Sequence, residues 1–248
     1  MTDLLPHLPL IAVTFLLAGL VKGVIGLGLP TVAMGLLGSA MAPAEAAALL
    51  LLPSLVTNLW QLFSGPRFGA LLRRLGGMML AIAAGTAAGS GLIAANDARF
   101  AAAALGLALL AYAIVGLTRL RFSVPVRAEV WAGPLVGILT GFVTGATGVF
   151  VLPAVPYLAA LDLERDDLVQ ALGLSFTVST LALAAGLAWH GILPVQSLSA
   201  SLLALVPALL GMALGGALRE RVKPDIFRRC FFLGLLVLGI EIVWHALA

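Results

Sequence analysis

The chain has 248 residues, of which 62% are hydrophobic and 10% are charged, and its mean hydropathy is +1.14. A soluble domain carries about 25% charged residues, so this composition excludes a water-facing globule. The net charge of +3 does not indicate nucleic acid, because the basic residues cluster in short loops without interleaved aromatic residues. The long unbroken apolar runs disfavour a β-barrel. The sequence therefore predicts an all-α polytopic membrane protein.

Eight apolar segments have about the length that a membrane-spanning helix needs, roughly 20 residues. Short loops join them, so we expect no appended soluble domain. The first segment has no basic residues before it, and we expect it to be part of the mature protein rather than a signal peptide. The single cysteine, Cys230, allows no intramolecular disulfide. The segments are predicted at Leu8–Leu37, Ala44–Ser64, Leu75–Ala95, Phe100–Leu117, Val130–Leu161, Leu168–Ala188, Leu198–Leu218 and Phe227–Ala246.

Glycines interrupt the first and fifth segments near their middles, where the chain reads AGLVKGVIGLGLP and TGFVTGATGVFVLP. A shift of 122 positions places Gly19 on Gly141, and the order of further matches indicates an internal duplication. We therefore predict two four-segment halves, 1–124 and 125–248. The same shift also pairs Val21 with Val143, Gly23 with Gly145, Gly26 with Gly148, Glu45 with Asp167 and Thr57 with Ser179, and a shift of 126 pairs Gly85 and Gly89 with Gly211 and Gly215.

Basic residues mark three loops, which the positive-inside rule assigns to the cytoplasm. Eight full crossings cannot place all three loops there, since the last two would then lie on opposite sides. The conflict disappears if the long fifth segment is a re-entrant hairpin, and the duplication predicts a hairpin for the first segment too. Each half then crosses three times and the halves are inverted, as in many secondary transporters. On this topology both termini lie outside the cytoplasm, and Arg73, Arg121 and Arg221 lie inside it.

Lys22 lies inside the first apolar segment, next to the glycine break. A lysine at the centre of a membrane helix costs about 2.5–3.5 kcal/mol on insertion scales. One interpretation is that the side chain reaches the interface and avoids this cost. The other is that Lys22 offers its positive charge to a bound anion.

The glycines at the two breaks also have two interpretations. Glycine permits close helix packing, which we expect for Gly85, Gly89, Gly211 and Gly215. At the breaks it permits a turn, after which the second arm of each hairpin presents the positive end of its dipole to an anion. We predict that the two breaks meet near the membrane midplane and form one anion site. Its backbone part would comprise Gly23, Gly26, Gly28, Gly145 and Gly148.

Polar side chains on the second, fifth and sixth segments are candidates to line a path beside the breaks. Ser54, Thr57, Asn58 and Gln61 share one face of the second segment by helical spacing. Interhelical hydrogen bonds are the alternative for each residue. We expect His190 to be an interfacial anchor. Glu241 has two interpretations, a proton site or a residue that reaches water near the end of the last segment. The predicted site residues in this group are Thr57, Asn58, Thr144, Thr147, Ser175 and Ser179.

The stretch GLVKGVIGLGLPTVAMGLLG at 19–38, the second copy GFVTGATGVFVLP at 141–153 and the 4+4 arrangement resemble the TauE/SafE family of sulfite exporters. That family is also called the 4-toluene sulfonate uptake permease family, and the resemblance covers essentially the whole chain. It implies a multi-pass protein of the bacterial inner membrane that transports sulfite, sulfonates or related organic anions.

Other function classes are weighed against transport. The chain lacks HExxH, GxSxG and phosphate-loop motifs, so we expect no enzyme, no catalytic residue, no metal and no cofactor. Proton-coupled uptake, a passive anion channel and a structural membrane component remain alternatives. We favour export, because an inside-negative potential drives anions outwards. The expected partners are a small anionic substrate and membrane lipid, with no nucleic acid, and the sequence leaves a homodimer open.

Overall fold

A computed structural model describes residues 7–94, 98–118, 123–193, 195–219 and 221–247. Arg119 and Arg121, which the sequence assigns to the cytoplasm, lie outside these ranges. The described chain is folded into α-helices joined by short loops. They are α1 (Leu8–Ile25), α2 (Leu29–Gly38), α3 (Pro43–Phe63), α4 (Phe68–Ile93), α5 (Ala98–Thr118), α6 (Val126–Thr147), α7 (Ala154–Ala159), α8 (Arg165–Trp189), α9 (Val195–Leu218) and α10 (Pro224–Leu247).

Within the described ranges, eight of these helices are long and apolar enough to cross a membrane. The all-α polytopic class predicted from the sequence is therefore confirmed. The main difference is at helix starts. The helices α4 and α8 begin at Phe68 and Arg165, earlier than predicted, because hydropathy omitted their charged first turns.

The fifth predicted segment enters and leaves the bundle at one end. The helix α6 runs inward from Val126, and the chain turns at Gly148, which adopts the left-handed conformation with a φ of 72°. After the short helix α7, the carbonyl oxygen of Ala160 accepts a 3.0 Å hydrogen bond from the backbone N–H of Val124. The chain has thus returned to the level at which α6 begins.

The first predicted segment is likewise divided into α1 and α2. Gly26 and Gly28 both have positive φ, 80° and 104°, which glycine adopts without strain. The chain turns so sharply here that a Cβ atom on Gly28 would lie 2.8 Å from Val21 Cγ1. The far end of α2 reaches α5, where Gly38 contacts Leu105. The helix α2 therefore runs back along the bundle from the turn.

Each hairpin packs against one long helix along a line of glycines, which we call a glycine seam. At the first seam α1 packs parallel to α9, and a Cβ atom on Gly19 would lie 2.1 Å from the Ala208 carbonyl oxygen. At the second seam α6 packs parallel to α4, and a Cβ atom on Gly85 would lie 2.3 Å from the Ile138 carbonyl oxygen. The packing role predicted for Gly85, Gly89, Gly211 and Gly215 is confirmed, since a Cβ atom on any of them would meet a backbone carbonyl.

Between the seams lie α3 and α8, which pack antiparallel. The Gln170 side-chain amide donates to the carbonyl oxygens of Leu62 and Gly65 at 2.8 and 2.6 Å. Pro53 removes one backbone N–H from the middle of α3 and leaves the Leu49 carbonyl without its helical donor. The Ser201 hydroxyl of α9 replaces that donor at 2.7 Å. The central helices are thus held by side-chain hydrogen bonds as well as by packing.

Replacing a seam glycine tests the importance of this close approach. We expect Gly85→Ala to destabilise the protein by about 1–3 kcal/mol, because its methyl group would overlap the α6 backbone. Gly76→Ala in the same helix is the matched control, since nothing lies within 4 Å of its Cβ position. Thermal unfolding in detergent measures both. Equal melting temperatures for the two variants would contradict the seam.

One end of the bundle is rich in arginine. There Arg74 Nε donates to Glu129 Oε2 at 2.8 Å, joining the starts of α4 and α6, and Arg67 Nη1 donates to Asp167 Oδ2 at 2.9 Å, joining α4 to α8. Gln61, near the end of α3, binds the end of α1, so these helix ends lie at the same end of the bundle. We call this the arginine-rich end, and the positive-inside rule predicts that it faces the cytoplasm.

Labelling of single cysteines tests this orientation. Because Cys230 is exposed, the experiment needs a Cys230→Ser background. In whole cells a membrane-impermeant maleimide should label Ser39→Cys and His245→Cys, both at the opposite end. Arg73→Cys and Arg221→Cys should react only after permeabilisation. Labelling of positions 73 and 221 from opposite sides would contradict the shared end.

Candidate functional site

Lys22 is buried within the bundle, with 5% of its surface exposed. Its Nζ atom donates to Thr57 Oγ1 at 3.1 Å and to Asn58 Oδ1. Both acceptors are on α3, so the side chain points to the centre of the protein rather than along α1 to the interface. The alternative that Lys22 merely reaches the membrane surface is therefore wrong.

The hydrogen bonds continue from Lys22 to α8. Asn58 uses its carbonyl oxygen for Lys22, and its Nδ2 donates to Thr180 Oγ1 at 3.2 Å. The Thr180 hydroxyl in turn donates to the Phe176 carbonyl oxygen at 2.7 Å. One amide side chain thus connects the lysine of the first hairpin to both central helices.

A second amide fixes the turn of the first hairpin. Gln61 Nε2 donates to the Gly26 carbonyl oxygen at 2.9 Å, while Gln61 Oε1 is buried without a hydrogen-bond partner. Gly26 N–H also donates back to the Lys22 carbonyl oxygen at 2.7 Å. The position of Lys22 is therefore fixed both by the hydrogen bonds of its side chain to α3 and by the hydrogen bonds at Gly26, one helical turn later.

The charge of Lys22 has no ionic partner within the described residues. Its two acceptors are neutral oxygens, and the described ion pairs involve Arg67 and Arg74 instead. The other buried charged side chain described, Asp167, is paired with Arg67 at the arginine-rich end. A buried ammonium group with only neutral acceptors is incompletely compensated and attracts an anion.

Several buried hydroxyl groups on the helices of this region have no hydrogen-bond partner in the structure. Buried polar groups normally find a partner in protein, water or a ligand. Hydroxyl groups can donate to an anion, so this set is suited to the same ligand as Lys22. The group comprises Ser54 of α3 and Ser175 and Ser179 of α8, the two helices that carry the hydrogen bonds around Lys22.

The second break differs chemically from the first. Thr144 and Thr147 donate their hydroxyl hydrogens to the carbonyl oxygens of Thr140 and Val143, four residues earlier. The Val149 N–H donates to Thr147 Oγ1 at 3.2 Å. The five residues 149–153 are not helical, and the ring of the buried Phe150 lies 5.3 Å from that of Phe176. The prediction that a helix dipole starts at this break is wrong, because α7 begins only at Ala154.

The prediction that the two breaks meet near the midplane is also wrong. Gly26 is bound by Gln61, whereas the Cβ position of Gly148 lies 3.4 Å from Ala47. Those α3 residues are 14 positions apart, about 21 Å along the helix. Each hairpin runs nearly through the bundle before it turns, so the turns lie towards opposite ends.

The predicted site residues therefore separate into groups. Lys22, Thr57 and Asn58 are brought together. Gly23 and Gly145 lie at helix crossings, where a Cβ atom would lie 2.3 and 2.4 Å from a backbone oxygen of the neighbouring helix. The remaining members keep a predicted binding role: Gly26 and Gly28 at the first turn, Thr144, Thr147 and Gly148 at the second, and Ser175 and Ser179 on α8.

Sequence reasoning counted Gln61 and Thr180 among the polar residues that could line the path, but not among the predicted site residues. Helical spacing places Gln61 on the same face of α3 as Thr57 and Asn58, and this would have been sufficient to include Gln61 in the site. Thr180 is separated from Asn58 by 122 residues, which is also the offset found between the two glycine breaks. Applying that offset to Asn58 would have identified Thr180.

His190 and Glu241 lie away from Lys22. The His190 ring is exposed and its Nε2 atom lies 3.3 Å from Ser90 Oγ, between the ends of α4 and α8. Glu241 is exposed on α10. Neither residue contributes to the hydrogen bonds around Lys22.

Comparison with known proteins identifies the family. The family model described as "Sulfite exporter TauE/SafE" matches residues 11–242, nearly the whole chain. The chain belongs to the TauE/SafE family. Searches of curated proteins and of solved structures found no match. Membership establishes a multi-pass membrane protein of a transporter family and agrees with the resemblance noted in the glycine motifs.

A double-mutant cycle tests the central hydrogen bond of this TauE/SafE protein. Asn58→Leu leaves the buried ammonium without its amide acceptor and should cost about 1–3 kcal/mol or more. In a Lys22→Met background the same change should cost much less, because the charge is gone. We expect a coupling energy of at least about 1 kcal/mol from thermal unfolding. If the losses in unfolding free energy were additive in the double variant, the two side chains would not stabilise the protein through each other.

Proposed function

We propose that this protein is a secondary transporter that moves a small sulfur-containing or organic anion across the bacterial inner membrane. The observation that carries the proposal is the buried Lys22 ammonium group, whose only described partners are neutral oxygens. Family membership indicates sulfite or a related anion as the class of substrate. A sulfite or sulfonate group has oxygen acceptors for both the ammonium and nearby hydroxyl groups.

The energetic argument rests on the cost of burying a charge. Removing an ammonium group from water costs several kcal/mol, and neutral acceptors offset only part of that cost. Replacing a buried charged group together with its partners by well-packed apolar residues is often neutral or stabilising, so a structural role alone does not require a lysine at this position. A binding lysine instead recovers the cost when an anion forms a charge-assisted hydrogen bond with it. In the proposed site Lys22 binds the charge, and Ser54 and Ser175 donate hydroxyl groups.

We further propose that transport is outward and needs no coupled cation. An inside-negative potential favours anion efflux by about 2.3 kcal/mol per elementary charge and 100 mV. Uptake coupled through an acidic residue needs a carboxylate near the anion that binds a proton or a metal cation. In the described part of the chain, the one buried carboxylate is Asp167, which is paired with Arg67. No cluster of potential metal ligands was found among these residues.

Binding to purified protein tests the role of Lys22. With sulfite as the probe, Lys22→Met should weaken binding about tenfold to hundredfold, which corresponds to one hydrogen bond to a charged group. Lys223→Met is the matched control, because it removes the same charge from an exposed position between α9 and α10. Calorimetry at constant salt gives both affinities. Equal binding by Lys22→Met and the native protein would contradict the site.

Proteoliposomes test the direction and coupling. An imposed inside-negative potential should speed sulfite efflux, and a pH gradient at zero potential should leave the rate unchanged. Uptake that follows a proton gradient would replace export with proton-coupled uptake. Flux that does not saturate and shows no counterflow would indicate a channel.

A further inference from the structure

The two glycine seams repeat each other residue by residue. Gly19 approaches the Ala208 carbonyl oxygen at the first seam, and Gly141 approaches the Ile82 carbonyl oxygen at the second, with the same Cβ distance of 2.1 Å. The shift is 122 positions from α1 to α6 and 126 from α4 to α9. The other contacts follow the same two shifts: Gly23–Met212 with Gly145–Thr86, Gly211–Leu16 with Gly85–Ile138, and Gly215–Leu20 with Gly89–Phe142.

A contact between equivalent residues must straddle the axis that relates two halves. Asn58 and Thr180 are 122 positions apart and form a hydrogen bond of 3.2 Å. The parallel seams and the antiparallel pairing of α3 with α8 fit a two-fold axis at this bond. Inverted halves related in this way are common in transporters, and their substrates bind at the interface between the halves.

The axis gives the Lys22 site an equivalent in the second half. Thr144 occupies the position of Lys22, one turn before a left-handed glycine. Gly148 N–H donates to the Thr144 carbonyl oxygen at 2.8 Å, as Gly26 N–H does to that of Lys22 at 2.7 Å. Ser179 occupies the position of Thr57 and is fully buried with an unpartnered hydroxyl group.

We propose that Thr144 and Ser179 form an uncharged second half-site, which receives the oxyanion from the Lys22 half-site during transport. This inference rests on the proposed function. The transferred ligand is a small oxyanion, because the free donor in this half-site is the Ser179 hydroxyl group, whereas Thr144 already donates its hydroxyl hydrogen to Thr140. The first break lies towards the arginine-rich end, near Gln61, and the second towards the opposite end, near Ala47. Transfer from the first half-site to the second therefore moves the anion away from the arginine-rich end.

At three equivalent positions the two halves carry different residues, and these differences weaken anion binding at the second half-site. Leu183 occupies the position of Gln61, and Phe176 and Phe150 occupy those of Ser54 and Gly28. The two phenylalanine rings pack together at 5.3 Å, so this half-site is narrower and less polar. Without an ammonium group it holds an anion more weakly. Weak binding at the second half-site favours release of the anion, whereas the charged Lys22 half-site binds the anion first.

Ser179→Ala and Thr57→Val are a matched pair, because these residues occupy equivalent positions. Ser179→Ala should leave the affinity for sulfite within about twofold, as measured by calorimetry, but lower efflux from proteoliposomes about tenfold, the effect of one hydroxyl hydrogen bond. Thr57→Val should weaken binding itself. Efflux by Ser179→Ala at the native rate would overturn the second half-site. So would a loss of affinity as large as that of Thr57→Val.

Adding a charge to the second half-site provides an independent test. Thr144→Lys should raise the number of bound sulfite ions from one to two and slow efflux, because the anion is then retained. Thr140→Lys, one turn earlier on α6, is the control and should bind one. A folded Thr144→Lys variant that binds a single sulfite overturns the proposal, and if it does not fold, Ser179→Ala decides. Failure of the native protein to bind sulfite would instead refute the proposed function.

Discussion

Hydrocarbon offers no hydrogen-bond partners, so every polar group in the bundle must find one inside the protein. The interior of this protein follows that constraint closely at its backbone. Ser201 replaces the donor that Pro53 removes from α3, and Gln61 binds the carbonyl group at the turn of the first hairpin. Against this background the exceptions stand out. Lys22 has neutral partners only, and the hydroxyl groups of Ser54, Ser175 and Ser179 have no partner, as is also the case for Thr14 of α1 and Tyr112 of α5. We propose that the first four of these residues lie along the path of the anion.

The glycine seams and the central helices have different structural roles. At each seam two backbones lie too close for a side chain, which fixes α1 on α9 and α6 on α4. The helices α3 and α8 also approach closely at Gly173, where a Cβ atom would lie 2.5 Å from the Leu62 backbone nitrogen, but side-chain hydrogen bonds of Asn58 and Gln170 join them as well. Close packing thus positions the hairpins, while the hydrogen-bonded pair at the centre remains chemically specific. On our proposal, the lysine at this position is explained by the anion that it binds.

Composition and periodicity were sufficient to predict the membrane class, the two broken segments and the proximity of Lys22 to Thr57 and Asn58. They failed where one residue type has two uses. Gly23 and Gly26 look alike in the sequence, but Gly23 lies at a helix crossing and Gly26 has the positive φ of a turn. The separation of the two breaks could not be predicted either. It depends on how far each hairpin extends before turning, which hydropathy does not record, and on the antiparallel register of α3 and α8.

The seam between α1 and α9 also has a consequence for biosynthesis. Gly19 packs against Ala208, which the ribosome adds about 190 residues later. At about 5–20 residues per second, α1 waits roughly 10–40 s for its partner. During that delay α3 is already present and supplies Thr57 and Asn58 to the lysine. The hydrogen bonds to Lys22 can therefore shield its charge in the nascent chain well before the first seam closes.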